Sequence, residues 1–247
     1  VIGRSGNPTL KENTFQKAGH FSGNEAMTIE GTVNKSIITL VVLLGGAFAA
    51  WSMYYNGQAN VLGLGIAGAI VGFILALIIS FKPTAAPFLV PIYAACEGLF
   101  LGALSAHYES LYQGITMQAS LLTMCVFIAL LAAYRFRIIQ ATKNFRLGVF
   151  AATAGIALVY LLSFVLGFFG IQIPYLHDNS LIGIGISLVI VVVAALNLVL
   201  DFDFIETGAE QGAPKYMEWY GAFGLMVTLV WLYLEMLRLL SKLASRD

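Results

Sequence analysis

The chain has 247 residues, of which 59% are hydrophobic and only 11% charged, and its 13 Lys+Arg and 13 Asp+Glu balance to a formal net charge of zero. A soluble domain uses about 25% charged residues to cover its surface, so this composition excludes a soluble globular fold. It also excludes a disordered chain and a nucleic-acid binder with clustered bases, while 2 cysteines are too few for a disulfide scaffold.

What remains is an all-α polytopic membrane protein, read here as seven transmembrane helices in a domain over 36–240. Residues 1–35 form a polar arm with scattered Gly and Pro, and no apolar stretch near the start resembles a secretory signal. The first helix is therefore expected to be an uncleaved anchor. Residues 36–81 contain no Asp, Glu, Lys or Arg, and Tyr54-Tyr55-Asn56-Gly57-Gln58 divides that run into spans 36–54 and 61–80. Lys82-Pro83 breaks the chain, and a third span over 86–106 carries Glu97. A fourth over 115–134 stops at Arg135, and a fifth covers 148–169. Pro174, His177 and Asp178 make the next loop, and the sixth span, 180–200, closes in Asp201-Phe202-Asp203. The seventh, 219–240, carries Glu235 and leads to a short basic tail, 241–247. Each run has the roughly 20 residues a bilayer core requires. Barrel strands would be shorter and would alternate.

Basic residues are segregated. Arg4, Lys11, Lys17 and Lys35 precede the first span, Lys82 follows the second, Arg135, Arg137, Lys143 and Arg146 follow the fourth, and Lys215 follows the sixth. The alternate loops have none, which predicts a cytoplasmic N-terminus. Arg238, Lys242 and Arg246 dissent, since seven full crossings put them outside. Either the last segment does not cross fully or the earlier loops set the topology.

Gly68/Gly72 and Gly98/Gly102 are small-xxx-small pairs, expected to serve internal helix packing rather than a dimer. Trp51, Tyr54, Tyr55, Tyr108, Tyr112, Tyr134, Trp219 and Tyr220 lie near span ends as an interfacial belt, and Cys96 and Cys125 read as small packing residues.

The informative residues are carboxyls at membrane depth, which normally face a partner or a water-filled cavity. Glu97 sits mid-span beside Gly98, Gly102 and Ser105, either as a protonated group bonded to facing backbone or as a functional acid. Asp201 and Asp203 sit at a predicted helix C-terminus, where the macrodipole disfavours them. Asn197 shares a face with Asp201, while Asp203 points nearer Glu206. Glu235 has Arg238 three residues on, so it forms a local ion pair or faces the bundle and titrates. No HExxH, GxSxG or phosphate loop is present, and His20, His107 and His177 are scattered. No enzyme activity and no cofactor are expected.

Several stretches carry a family likeness: Arg4-Ser5-Gly6-Asn7-Pro8, Met27-Thr28 with Lys35, Glu97-Gly98-Leu99-Phe100-Leu101-Gly102, Asn197 through Glu206, and Glu218-Trp219-Tyr220. The chain resembles the Bax inhibitor-1 (transmembrane BAX inhibitor motif) superfamily, in particular its bacterial YccA-like members. The resemblance implies seven helices with the last one central, in a bacterial inner membrane. It also implies a pH-sensitive cation pathway, with Ca²⁺ as the transported ion, in which an acid at the end of helix 6 pairs with one in helix 7. Asp201 or Asp203 matches the first acid. Glu235, in Leu232-Tyr233-Leu234-Glu235, matches the second, whereas alignment from Trp219 and Arg238 puts Val227 or Thr228 there. The alternative the resemblance implies is a quality-control protein that modulates a membrane-bound ATP-dependent protease or another membrane complex, with the N-terminal arm as contact.

Overall fold

The computed structural model describes residues 25–170 and 178–246. The Arg4–Pro8 stretch, His20, Pro174, His177 and most of the N-terminal arm lie outside the described residues. Seven helices follow one another: α1 (Ile29–Tyr55), α2 (Val61–Phe81), α3 (Ala86–Leu111), α4 (Ile115–Arg135), α5 (Lys143–Phe168), α6 (Leu181–Glu210) and α7 (Met217–Ala244). A 3-10 turn, Pro83–Ala85, precedes α3. Every helix is long and apolar enough to cross a membrane, since even a 21-residue helix rises about 31 Å. Among the described residues there is no strand, only an isolated antiparallel bridge between Ala26 and Pro214.

Helix ends follow capping chemistry rather than hydropathy. Thr28, Thr142 and Ser180 each accept a hydrogen bond from the backbone three residues on, which starts α1, α5 and α6. Two polar first turns are thereby helical, and α1 and α5 begin before the expected 36 and 148. At the other end, α6 does not stop near residue 200. It continues to Glu210 because the first breaker is Gly212, with φ +63°, followed by Pro214. Asp201 and Asp203 are therefore interior residues of α6, which corrects their placement at a helix C-terminus. The last helix likewise runs through the expected tail to Ala244.

α7 is the central helix, packing against α1, α3, α4 and α6. α3 lies between α1 and α2, and its glycines explain how. A Cβ on Gly98 or Gly102 would fall 2.2 Å from the Leu43 carbonyl oxygen or 2.1 Å from that of Ala47, both on α1. On α2, a Cβ on Gly68 would meet the Cys96 carbonyl at 2.7 Å. These pairs are spent on internal packing. α5 is peripheral: only 6% of its most apolar window is buried, so its surface is left for lipid.

Two sequence assignments change. Tyr220 is a core residue, not a belt residue, being 1% exposed between Phe204 and Phe223. Cys125 is exposed on the bundle exterior rather than packed.

Alternating crossings put the α2–α3, α4–α5 and α6–α7 connections at the end where α1 begins. That end, called the basic end below, carries Lys35, Lys82, Arg135, Arg137, Lys143, Arg146 and Lys215. At 28 residues α7 is long enough to cross fully, and two of the three bases near its far end, Arg238 and Lys242, are engaged internally. Arg238 bonds Glu235, and Lys242 Nζ donates to the Gly183 carbonyl at 3.0 Å.

Candidate functional site

One face of α6 is buried at helical spacing through Ser187, Ile190, Val191, Ala194, Asn197, Leu198, Asp201, Ile205 and Gly208. It packs chiefly on α7. Asn197 and Asp201 share this stripe, and Asp201 is 0% exposed. Asn197 Nδ2 donates to the Val193 carbonyl and to Thr153 Oγ1, both at 2.8 Å, which ties α6 to α5.

Asp203 points elsewhere, towards Arg146 in the first turn of α5. Arg146 Nη2 donates to both carboxylate oxygens, at 2.9 and 2.7 Å. Both side chains are largely buried, which makes this charge-assisted contact stronger than an exposed pair. Glu206, one turn further, accepts from the Tyr134 hydroxyl of α4.

Glu235 is buried on α7 and has two partners. The Tyr160 hydroxyl of α5 donates at 2.9 Å and Arg238 Nη1 at 3.1 Å. The Arg238 guanidinium also bonds the Tyr160 hydroxyl and lies 5.1 Å over its ring. The local ion pair read from sequence is present, with Tyr160 added. Asp201 lies nine residues before the end of α6 and Glu235 eighteen after the start of α7. At about 1.5 Å per residue these are about 14 and about 27 Å from the α6–α7 turn. The α7 residues level with Asp201 are Met226 to Thr228. Thr228 is buried and its hydroxyl donates to the Gly224 carbonyl at 3.3 Å. On this spacing Thr228 stands nearer the level of Asp201 than Glu235 does, and Glu235 bonds Tyr160 and Arg238 instead.

Glu97 is in a third place. Its side chain turns to α2, with Oε2 3.0 Å from where a Cβ on Gly72 would lie. It does not turn with Gly98 and Gly102, which meet α1.

A cleft of about 1400 Å³ runs along the bundle between α1 and α4, floored by α3, α6 and α7. Asp203, Glu206 and Glu210 of α6 line its basic-end mouth with Arg135 and Arg137. Further in stand the hydroxyls of Ser105, Thr116, Ser120, Thr123 and Tyr233. Ser105 Oγ and Tyr233 OH are 2.7 Å apart, and Thr116 Oγ1 donates to the Ser105 carbonyl at 3.1 Å. Sequence reasoning named Glu206, Ser105 and Tyr233 only as neighbours of other acids, not as site residues, and did not name Glu210 or the other hydroxyls. The acids lie in a helical extension beyond the apolar window, and hydroxyls are common in apolar helices.

Glu218 was also missed as a site residue. Its side chain is fully buried and ties the foot of α1 to the start of α7. Thr28 donates to its Oε1 through the backbone N–H and the hydroxyl, at 3.1 and 2.9 Å. Lys215 Nζ lies 2.8 Å from Oε1 and Lys35 Nζ 3.4 Å from Oε2. Met27 N–H donates to the Ala213 carbonyl at 2.6 Å and Lys215 N–H to that of Glu25 at 2.8 Å. Lys35 also sits 5.9 Å over the Trp219 ring. The two motifs Met27-Thr28 with Lys35 and Glu218-Trp219, far apart in sequence, are thus one clasp.

Comparison with curated proteins gives no match. The family model described as Bax inhibitor 1 like matches residues 7–245. That match spans all seven helices and includes both halves of the clasp, and the chain belongs to the Bax inhibitor 1 like family.

Proposed function

We propose that this membrane protein is a pH-sensitive cation leak, with Ca²⁺ as the transported ion, whose acidic vestibule is the basic-end mouth of the cleft. The observation that carries this reading is the placement of three carboxyls, Asp203, Glu206 and Glu210, on the α6 wall of a cleft that extends into the membrane domain past a row of hydroxyls. Carboxylates raise the local cation concentration, and the carboxyl and hydroxyl oxygens along the cleft are the donor type that suits a hard cation such as Ca²⁺. With Glu235 distant from Asp201, the acid-to-acid pairing that the resemblance implies does not supply the pH response. The Asp203–Arg146 pair does. Protonating Asp203 removes the charge that holds Arg146, so α5 loses one of its polar links to the bundle. Among the described residues the others include Asn197–Thr153 and the bonds of Tyr160 with Glu235 and Arg238. We further propose that the basic end faces the cytoplasm of a bacterial inner membrane, following the asymmetry of Lys and Arg.

The test is flux in liposomes containing the full chain and an internal Ca²⁺ dye, from about pH 5 to about pH 8. Flux above protein-free liposomes is expected, altered in its pH profile by Asp203→Asn and reduced by Glu206→Gln with Glu210→Gln. No flux above protein-free liposomes at any pH would overturn the leak.

A further inference from the structure

The same cleft has a second chemistry on its other side. α1 and α4 both rest on α7 but scarcely touch each other, so a slot between them opens sideways. Its lips are apolar and exposed, including Val33, Ile37, Leu44 and Phe48 of α1 and Met124 and Leu131 of α4. In a bilayer such a slot is not left empty. Water gains little from apolar walls and the walls lose contact if nothing fills them, so hydrocarbon is the favoured occupant.

Charge at the mouth specifies the headgroup. Arg135 and Arg137, at the α4–α5 corner, form one side of it. Among the described residues neither is in a hydrogen bond or ion pair through its side chain. At the same end, Lys35 and Lys215 are bound to Glu218 and Arg146 to Asp203. The facing side is Glu206 and Glu210, four residues apart on one face of α6. Glu206 is already linked to Tyr134, which is adjacent to Arg135, so the two sides are held close.

We propose that the α1–α4 slot is a binding site for one aminophospholipid. Its acyl chains lie along the apolar walls, its phosphate meets Arg135 and Arg137, and its primary ammonium meets Glu206 and Glu210. Guanidinium groups match phosphate oxygens in geometry as well as charge. The ammonium donates hydrogen bonds to carboxylates, which a choline headgroup cannot. A glycerol headgroup carries net negative charge towards two acids. The site lies in the leaflet at the basic end. It goes beyond the leak reading and does not depend on it, because its occupancy is read without any ion gradient.

The full chain, purified in mild detergent and stripped of lipid, is offered equal amounts of phosphatidylethanolamine, phosphatidylcholine and phosphatidylglycerol with the same acyl chains. Native mass spectrometry counts what is retained. One phosphatidylethanolamine per chain is expected, preferred by about tenfold, which corresponds to about 1.4 kcal/mol. Glu206→Gln with Glu210→Gln should abolish the preference, Arg135→Gln with Arg137→Gln should lower retention of all three lipids, and Lys82→Gln with Lys143→Gln should leave both unchanged. Val33→Trp, which fills the slot from an exposed position, should lose all three lipids with an unchanged melting temperature. Equal retention of the three lipids by the parent, an unchanged preference in the glutamate pair, or unchanged retention in the arginine pair overturns the proposal. A dimer that carries no lipid also overturns it and makes a second copy the occupant.

Discussion

Glu218, in the first turn of α7, is bonded to Thr28 at the foot of α1, although 190 residues separate them. One carboxylate oxygen takes both the backbone N–H and the hydroxyl of Thr28, and it also meets Lys215. The first and last helices are thereby fixed to each other at the basic end, beside the mouth of the cleft.

Removing this carboxylate leaves several donors without their acceptor. Glu218→Ala should cost about 2–3 kcal/mol, the range for lost hydrogen bonds to a charged group in a buried setting. The Lys35 and Lys215 side chains are part-exposed and rehydrate, which keeps the loss from being larger. Gly31→Ala should act in the same direction, because its Cβ would fall 1.9 Å from Glu218 Oε1. Thermal unfolding in detergent checks both. A melting temperature within error of the parent for Glu218→Ala would show that the clasp contributes nothing to stability.

The seam between α1 and α3 should be intolerant of side chains. Gly102→Ala places a methyl 2.1 Å from the Ala47 carbonyl, against backbone that cannot rotate away. Overpacking of this kind costs about 1–3 kcal/mol. Gly45→Ala on the same helix as Ala47 meets nothing within 4 Å and should be neutral or slightly stabilising. Comparing the two by chemical unfolding in mixed micelles separates packing from helix propensity.

The Asp203–Arg146 contact should show positive coupling. In a double-mutant cycle of Asp203→Asn and Arg146→Gln, an interaction energy of about 1–3 kcal/mol is expected, given two hydrogen bonds between charged and largely buried groups. Coupling near zero would mean that the pair does not hold α5 to α6.

Tyr160 is the partner shared by Glu235 and Arg238. Tyr160→Phe should cost about 1–2 kcal/mol by removing a donor from a buried carboxylate. Glu235→Gln should retain more stability than Glu235→Ala, since an amide oxygen still accepts from the Tyr160 hydroxyl. Melting temperatures of the three variants provide the comparison, and identical values for Gln and Ala would count against the hydrogen bond.

The sequence by itself determined seven membrane-crossing helices, because a bilayer imposes a length and an apolarity that composition reveals directly. It also determined the use of Gly98 and Gly102, since small residues at helical spacing have few other roles inside a membrane. The lengths of α1, α5 and α6 were only partly legible: caps and breakers set helix ends, and the apolar window stops where the helix leaves hydrocarbon. That is why Asp201 and Asp203 read as a helix terminus although they lie within α6. Which charges meet was decided only in three dimensions. Asp203 with Arg146, Glu235 with Tyr160, and Thr28 with Glu218 are contacts between helices distant in the chain. Helical periodicity places a residue on a face of its own helix, but the neighbour that face meets depends on how all seven pack. The cleft between α1 and α4 follows from that packing alone, as a gap between two helices that lean on α7 rather than on each other.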